Sequence, residues 1–213
     1  MPADEKRVWT WRRGETGKRK WLRGTEAQAR ADGVVGDVTW PEGVWRAPCG
    51  DWFAVEDGRE PCGRIPDWGS PNQEFMASLP RDPDKLLALI RERFEGATKH
   101  TPDLLVMLTA SEFLGTGLVP ADLRATVYRM LAKLPTVEVT EQFANVDGRE
   151  GTAFGVSDGR VRLDVIIDPK TGRYIGERNV LVAPRNGVEA GTVFDYSAVD
   201  IAIVDGMGET PAG

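Results

Sequence analysis

RLDVIIDPKTGRYIGERNV, residues 162–180, places Asp168, Lys170, Thr171 and Gly172 between two apolar runs, an arrangement that suits either a ligand loop or a chain reversal. Turn chemistry decides between them. Pro169 fits the second position of a type I turn, and Gly172 supplies the positive φ that closes a slightly longer hairpin. On the N-terminal side, Val161, Leu163, Val165 and Ile167 alternate with Arg160, Arg162, Asp164 and Ile166, so a strand here has one apolar and one mixed face. The stretch reads as two strands and a tight turn. Asp-Gly at 158–159 gives a second hairpin signal upstream. With TVEVTEQFANV, GTAFGVS and TVFDYSAVDIAIVD as further candidates, five strands joined by short connections predict an antiparallel meander over 136–205.

The period changes before Pro135. PDKLLALIRERF carries Leu86, Leu87, Ile90 and Phe94 at helical spacing, with Asp82 as N-cap and Pro83 in the first turn. TPDLLVMLTASEFL repeats that start with Thr101 and Pro102, and VPADLRATVYRMLAKLP aligns Leu123, Val127, Met130, Leu131 and Leu134 on one stripe. Three helices over 82–134 should cover the apolar face of the sheet. The expected fold class is therefore α+β, a curved antiparallel meander sheet covered on one face by a three-helix cluster.

The first 74 residues differ in composition. All seven tryptophans (Trp9, Trp11, Trp21, Trp40, Trp45, Trp52 and Trp68) fall within them. RVWTWRR and KRKWLRG flank GETG and read as a β-hairpin that extends the meander, giving a single domain over 1–213; a short helix is expected over 24–36. A separate N-terminal subdomain is the alternative.

Residues 1 to 30 hold nine Lys/Arg against four Asp/Glu, so the remainder carries −11 of a net −6. An acidic bulk argues against a nucleic-acid partner, which needs a cationic face. No run of eighteen apolar residues occurs, and MPADEKRVW lacks the apolar core of a signal peptide. Cys49 and Cys62 each sit in a Pro-Cys-Gly turn with EDGR between them, so the segment can fold back and bridge them. A disulfide closing so short a loop stabilises by about 3 kcal/mol and belongs to an oxidising compartment. Two free cytosolic thiols are the alternative. No metal or cofactor is expected, since a structural zinc site wants four ligands and His100 is the one histidine.

LPRDPDKLLALIRERF, VPADLRATVYRMLAKLP and GTAFGVSDGRVRLDVIIDPKTGRYIGERNVL, taken in order, resemble an actinobacterial family of uncharacterised membrane-anchored proteins often encoded near an extracytoplasmic-function sigma factor. The resemblance covers about residues 75 to 205. It implies a soluble outer domain behind an N-terminal transmembrane helix that this sequence does not show; a cytosolic protein that departs from the family is the alternative. DxxIIDPKTGRYIGER is similar, more weakly, to lipoprotein-carrier and sigma-regulatory periplasmic domains, half-barrels in which a curved sheet wraps around helices and the Asp-Pro-x-Thr-Gly segment is only a hairpin. Neither resemblance brings catalytic residues.

Candidate chemistry is sparse. GETGKR lacks the glycine and hydroxyl of a phosphate loop, because Arg12 and Arg19 stand in their places. His100 reads as a helix-flanking surface residue. Trp9, Trp11 and Trp21, interleaved with Arg12, Arg13, Lys18, Arg19, Lys20 and Arg23, are candidate ligand-stacking residues, or else the inward face of a strand. The function expected is a noncatalytic extracytoplasmic sensing or binding domain for an apolar or envelope-derived ligand, held between sheet and helices. The alternatives are a hydrolase using Asp51, Glu56 or Asp57 near Trp45 and Trp52, or a protein-docking module.

Overall fold

The chain reverses between Asp168 and Gly172 as the turn chemistry requires. In the computed structural model, which describes residues 65–97, 99–146 and 148–199, the strands at 8–13 and 43–48, and residues 25, 27 and 31, Gly172 takes φ 65°. The Asp168 carboxylate accepts from the Lys170 amide at 2.8 Å and from the Thr171 hydroxyl at 2.7 Å. Its backbone N–H donates to the Arg173 carbonyl at 2.8 Å. The Asp168 carboxylate and the Thr171 hydroxyl are therefore spent on their own turn, to which Lys170 adds its backbone amide.

Eleven elements are described. Strands β1 (Val8–Arg13) and β2 (Gly43–Pro48) come first, then helices α1 (Gln73–Ser78), α2 (Pro83–Arg93), α3 (Pro102–Gly115) and α4 (Ala121–Leu131). Strands β3 (Glu138–Val146), β4 (Arg149–Ser157), β5 (Val161–Ile167), β6 (Tyr174–Leu181) and β7 (Val193–Ala198) follow, in the unbroken antiparallel order β3-β4-β5-β6-β7. The fold is α+β with a curved, unclosed sheet. Asp82 and Thr101 cap α2 and α3 through their side chains, with Pro83 and Pro102 in the first turns. Helix α1, capped by Asn72, is one that periodicity over so few residues does not reveal. Ala27 and Ala31 of the expected helix over 24–36 are helical.

One expectation is corrected. Among the described residues β1 pairs with β2, Trp11 opposite Trp45, in a two-stranded sheet of its own rather than as an extension of the meander. The proposed second arm, KRKWLRG, lies outside the described residues. Contacts divide the chain into two compact units, Met1–Ile65 with Ala202–Gly213, and Pro66–Ile201. Trp68 belongs to the second. It is buried, with its ring edge-on to Phe75 at 5.5 Å and Phe113 at 5.2 Å, the geometry that the aromatic quadrupole favours.

Within Pro66–Ile201 the core forms where α3 packs on β4, β5 and β6 with α2 and α4 beside it. Helix α3 is apolar nearly all round, as a central helix must be. Phe113, Leu104, Met107, Leu86, Ile90, Leu123, Met130 and Leu163 are almost wholly enclosed, so the helix side of the sheet is filled. Tyr128 on α4 donates to the Gly172 carbonyl at 3.0 Å and ties the Asp168 turn to the helices. Burial pushes the Tyr128 hydroxyl up to about 12.

The sheet coils strongly. A flat ladder would set its first and fifth strands about 19 Å apart, four spacings of 4.8 Å. Here β3 and β7 come within 8 Å, Cα to Cα. Small residues permit this: Gly151, Ala144 and Ala153 line the inner face, where Val146, Ile166 and Ile175 make a second, smaller core. A Cβ on Gly176 would meet the Ser197 carbonyl at 2.3 Å and Val146 Cγ1 at 3.0 Å, three strands away. Arg149 reinforces the same end by donating to the carbonyls of Ile175 at 3.1 Å and Val199 at 2.6 Å.

Candidate functional site

Strand parity assigns the two faces. Leu163 and Val165 point to the helices, so Arg162, Asp164 and Ile166 lie on the inner, concave face. Register places Arg178 of β6 opposite Asp164 and Val180 opposite Arg162. On the other side Gly155 of β4 stands opposite Asp164, and a Cβ there would lie 2.3 Å from Asp164 Oδ1. Glycine at 155 thus makes room for the carboxylate.

Asp164 has no exposed surface and is held by two guanidinium groups. Arg162 donates side-on through Nε at 2.7 Å to Oδ1 and Nη2 at 3.1 Å to Oδ2. Arg178 donates through Nε to Oδ2 at 2.9 Å and, through Nη2, to Glu141 Oε2 on β3 at 2.7 Å. The bond to Glu141 crosses three strand positions, so only the coiling of the sheet makes it. Burial opposes the Arg178 charge, yet the Glu141 and Asp164 hydrogen bonds hold its pKa above the ordinary arginine value. A buried carboxylate shared by two bidentate-capable arginines is the arrangement in which breaking a partner costs most.

Beyond this cluster the concave face opens. A groove of ≈ 360 Å³ is lined by Glu141, Arg162, Arg178, Val180, Val182 and Val193 among others. Its volume is at the lower end for small-molecule sites, and its lining is mostly polar, with three charged side chains beside a strip of valines. The smaller core around Ile166 and Ile175 closes the other end of the same face.

No family model, curated protein or solved structure matches this chain.

Two further polar clusters lie elsewhere. His100 Nδ1 is 3.1 Å from Asp158 Oδ2, and the Asp158 side chain is only 3% exposed. Burial raises the Asp158 carboxyl, but the amides of Val161 and Arg160 and the His100 ring outweigh it and bring it down to about 2. His100 is thus half-buried and paired to the β4–β5 turn rather than a free surface residue. Between α3 and β6, the Ser111 hydroxyl hydrogen-bonds Tyr174 at 3.1 Å and Glu177. Burial, with the Glu177 charge beside it, drives the Tyr174 hydroxyl far up. Among the described residues no group of three or more His, Cys, Asp or Glu could hold a metal ion.

Of the residues singled out from sequence, Trp9 and Trp11 lie in β1 and Trp45 in β2, described by backbone only. Trp21, Trp52, Cys49, Cys62, Asp51, Glu56 and Asp57 lie outside the described residues. The expected ligand space between sheet and helices is occupied by side chains, and the opening is on the opposite face. Sequence reasoning missed Asp164, Arg178 and Glu141. A signal existed in the first: an aspartate amid the apolar run of β5, with arginine two positions before it, fits a strand interior poorly unless it has a partner.

Proposed function

We propose that this chain is a noncatalytic binding module whose ligand lies in the concave groove of the meander, and that it serves as the extracytoplasmic part of a membrane-anchored protein. The groove is the observation that carries the binding reading: two guanidiniums at its floor, valines on its walls, and a filled core behind the sheet. Its two carboxylates are each paired to a guanidinium, which favours holding a ligand over moving protons. The compartment rests on the Pro-Cys-Gly pair at Cys49 and Cys62 and on the family resemblance. Among the described residues no helix is long and apolar enough to cross a membrane, so anchoring would come from a segment outside them.

The test is hydrogen exchange of the full chain with and without an actinobacterial envelope lipid extract. Slowed exchange in Glu138–Val146, Tyr174–Leu181 and Val193–Ala198, with the helices unchanged, supports the reading. Slowing confined to Val8–Arg13 and Gly43–Pro48 moves the site to the Trp-rich unit and overturns it. Nonreducing peptide mapping tests the compartment separately, since free Cys49 and Cys62 in the secreted protein would contradict it.

A further inference from the structure

The four charged groups at the groove are not equivalent. Asp164, fully enclosed, supplies one negative charge to two guanidiniums, so the floor is cationic by one charge before Glu141 is added. Glu141 restores neutrality from the rim, where its side chain is 45% exposed. It also sits between two register irregularities of β3, one on each side, and bulges of this kind leave a strand position free to re-aim its side chain.

The donors of the two arginines are only partly used. Arg162 spends Nε and Nη2 on Asp164, and Arg178 spends Nε on Asp164 and Nη2 on Glu141. Nη1 of each has no partner among the described residues. The end-on edge of Arg178 therefore carries one free nitrogen and one held by an exchangeable carboxylate. A planar carboxylate fits that edge with two parallel hydrogen bonds, a geometry that one oxygen of Glu141 does not reach.

Resting on the binding reading above, we propose that the groove takes the carboxylate head of an anionic amphiphile, which displaces Glu141 from Arg178 while the exposed side chains of Val182 and Val193 receive its apolar tail. Glu141 then acts as a built-in competitor that keeps the arginine paired when the site is empty. The commitment is to a carboxylate, since its two oxygens match the two Nη atoms. Glu141 holds Arg178 by one hydrogen bond from the exposed rim, so a ligand that adds a second hydrogen bond and apolar contact can replace it.

The experiment titrates the full chain with sodium octanoate and, in parallel, with octanol. Amide and arginine Nε–H shifts are followed at Arg162, Arg178, Val180 and Val193. Octanoate should saturate these signals with a Kd below about 1 mM, and octanol should bind at least about tenfold more weakly. Glu141→Gln should tighten octanoate by about two- to fivefold, the strength of an exposed pair removed as competitor. Glu141 is at the rim and its loss leaves Asp164 fully paired, so this variant keeps the fold. Equal binding of octanol at the groove overturns the carboxylate assignment and leaves the binding reading standing. Weaker octanoate binding by Glu141→Gln overturns the displacement. No shift at the groove with octanoate, but shifts with envelope lipid, overturns the ligand class alone, whereas no groove shift with either removes both readings.

Discussion

Replacing Asp164 with Asn should be the most damaging single conservative change in the meander. The carboxylate has no exposed surface and receives hydrogen bonds from two guanidiniums at 2.7, 3.1 and 2.9 Å. Breaking a buried ion pair from one side costs about 3–5 kcal/mol, mostly because the remaining charge is left unpaired. Here the arginine side chains keep 28% and 14% of their surface, and Glu141 stays on Arg178, so the loss falls toward about 3 kcal/mol. With a urea m-value of about 2 kcal/mol/M, the midpoint should drop by roughly 1.5 M. The assay is a urea titration by circular dichroism, with hydrogen exchange of Val161–Ile167 assigning the transition to this unit. Replacing Asp164 and its two arginines together, Asp164→Leu with Arg162→Leu and Arg178→Met, should recover much of the loss, because no enclosed charge is then stranded and Glu141 is left solvated at the rim. A midpoint shift for Asp164→Asn under about 0.2 M refutes the reasoning, since it means that the two arginines do not depend on the buried charge.

Other expectations follow from single contacts. Gly155→Ala puts a methyl group 2.3 Å from Asp164 Oδ1 and should cost about 1–3 kcal/mol by urea titration, with less loss when Asp164 is also replaced by Ala. Trp68→Ala should cost about 3–5 kcal/mol through the cavity left against Phe75 and Phe113, with Trp68→Phe costing less; thermal unfolding compares them. Asp158, drawn from 3.8 down to about 2 on folding, adds stability that is complete above its unfolded pKa and is lost as pH falls from about 4 toward 2. After allowance for solvent screening that amounts to on the order of 1 kcal/mol. Asp158→Asn should flatten this part of the pH profile, and an unchanged slope would reject the assignment. Tyr128→Phe removes the hydrogen bond to Gly172 and should speed amide exchange around Asp168–Arg173 while costing about 1 kcal/mol.

What was legible in the sequence was local. Helix starts at Asp82 and Thr101 depend on neighbours within three residues, and the Asp168–Gly172 turn depends on its own side chain and one positive φ. Strand alternation in β5 likewise divides its residues between two faces without any distant partner. The candidate site was not legible, because Glu141 and Arg178 meet only after β3 curls over toward β6. That coiling depends on glycines and alanines distributed over three strands, whose effect adds up only in the folded sheet. Helix α1 was missed because it is too short for a period, and its anchor, Met76 buried in the same core as Trp68, is tertiary. The pairing of β1 with Gly43–Pro48 joins strands far apart in sequence, so proximity along the chain did not reveal it.

The concave charge cluster is tested most directly by the proton–nitrogen correlation spectrum of the arginine Nε–H groups in the free protein. Locked onto one buried carboxylate, Arg162 and Arg178 should give two dispersed, slowly exchanging signals, and both should collapse into the envelope of solvated arginines in Asp164→Asn. Two such signals already lying in that envelope in the wild-type protein would contradict the account.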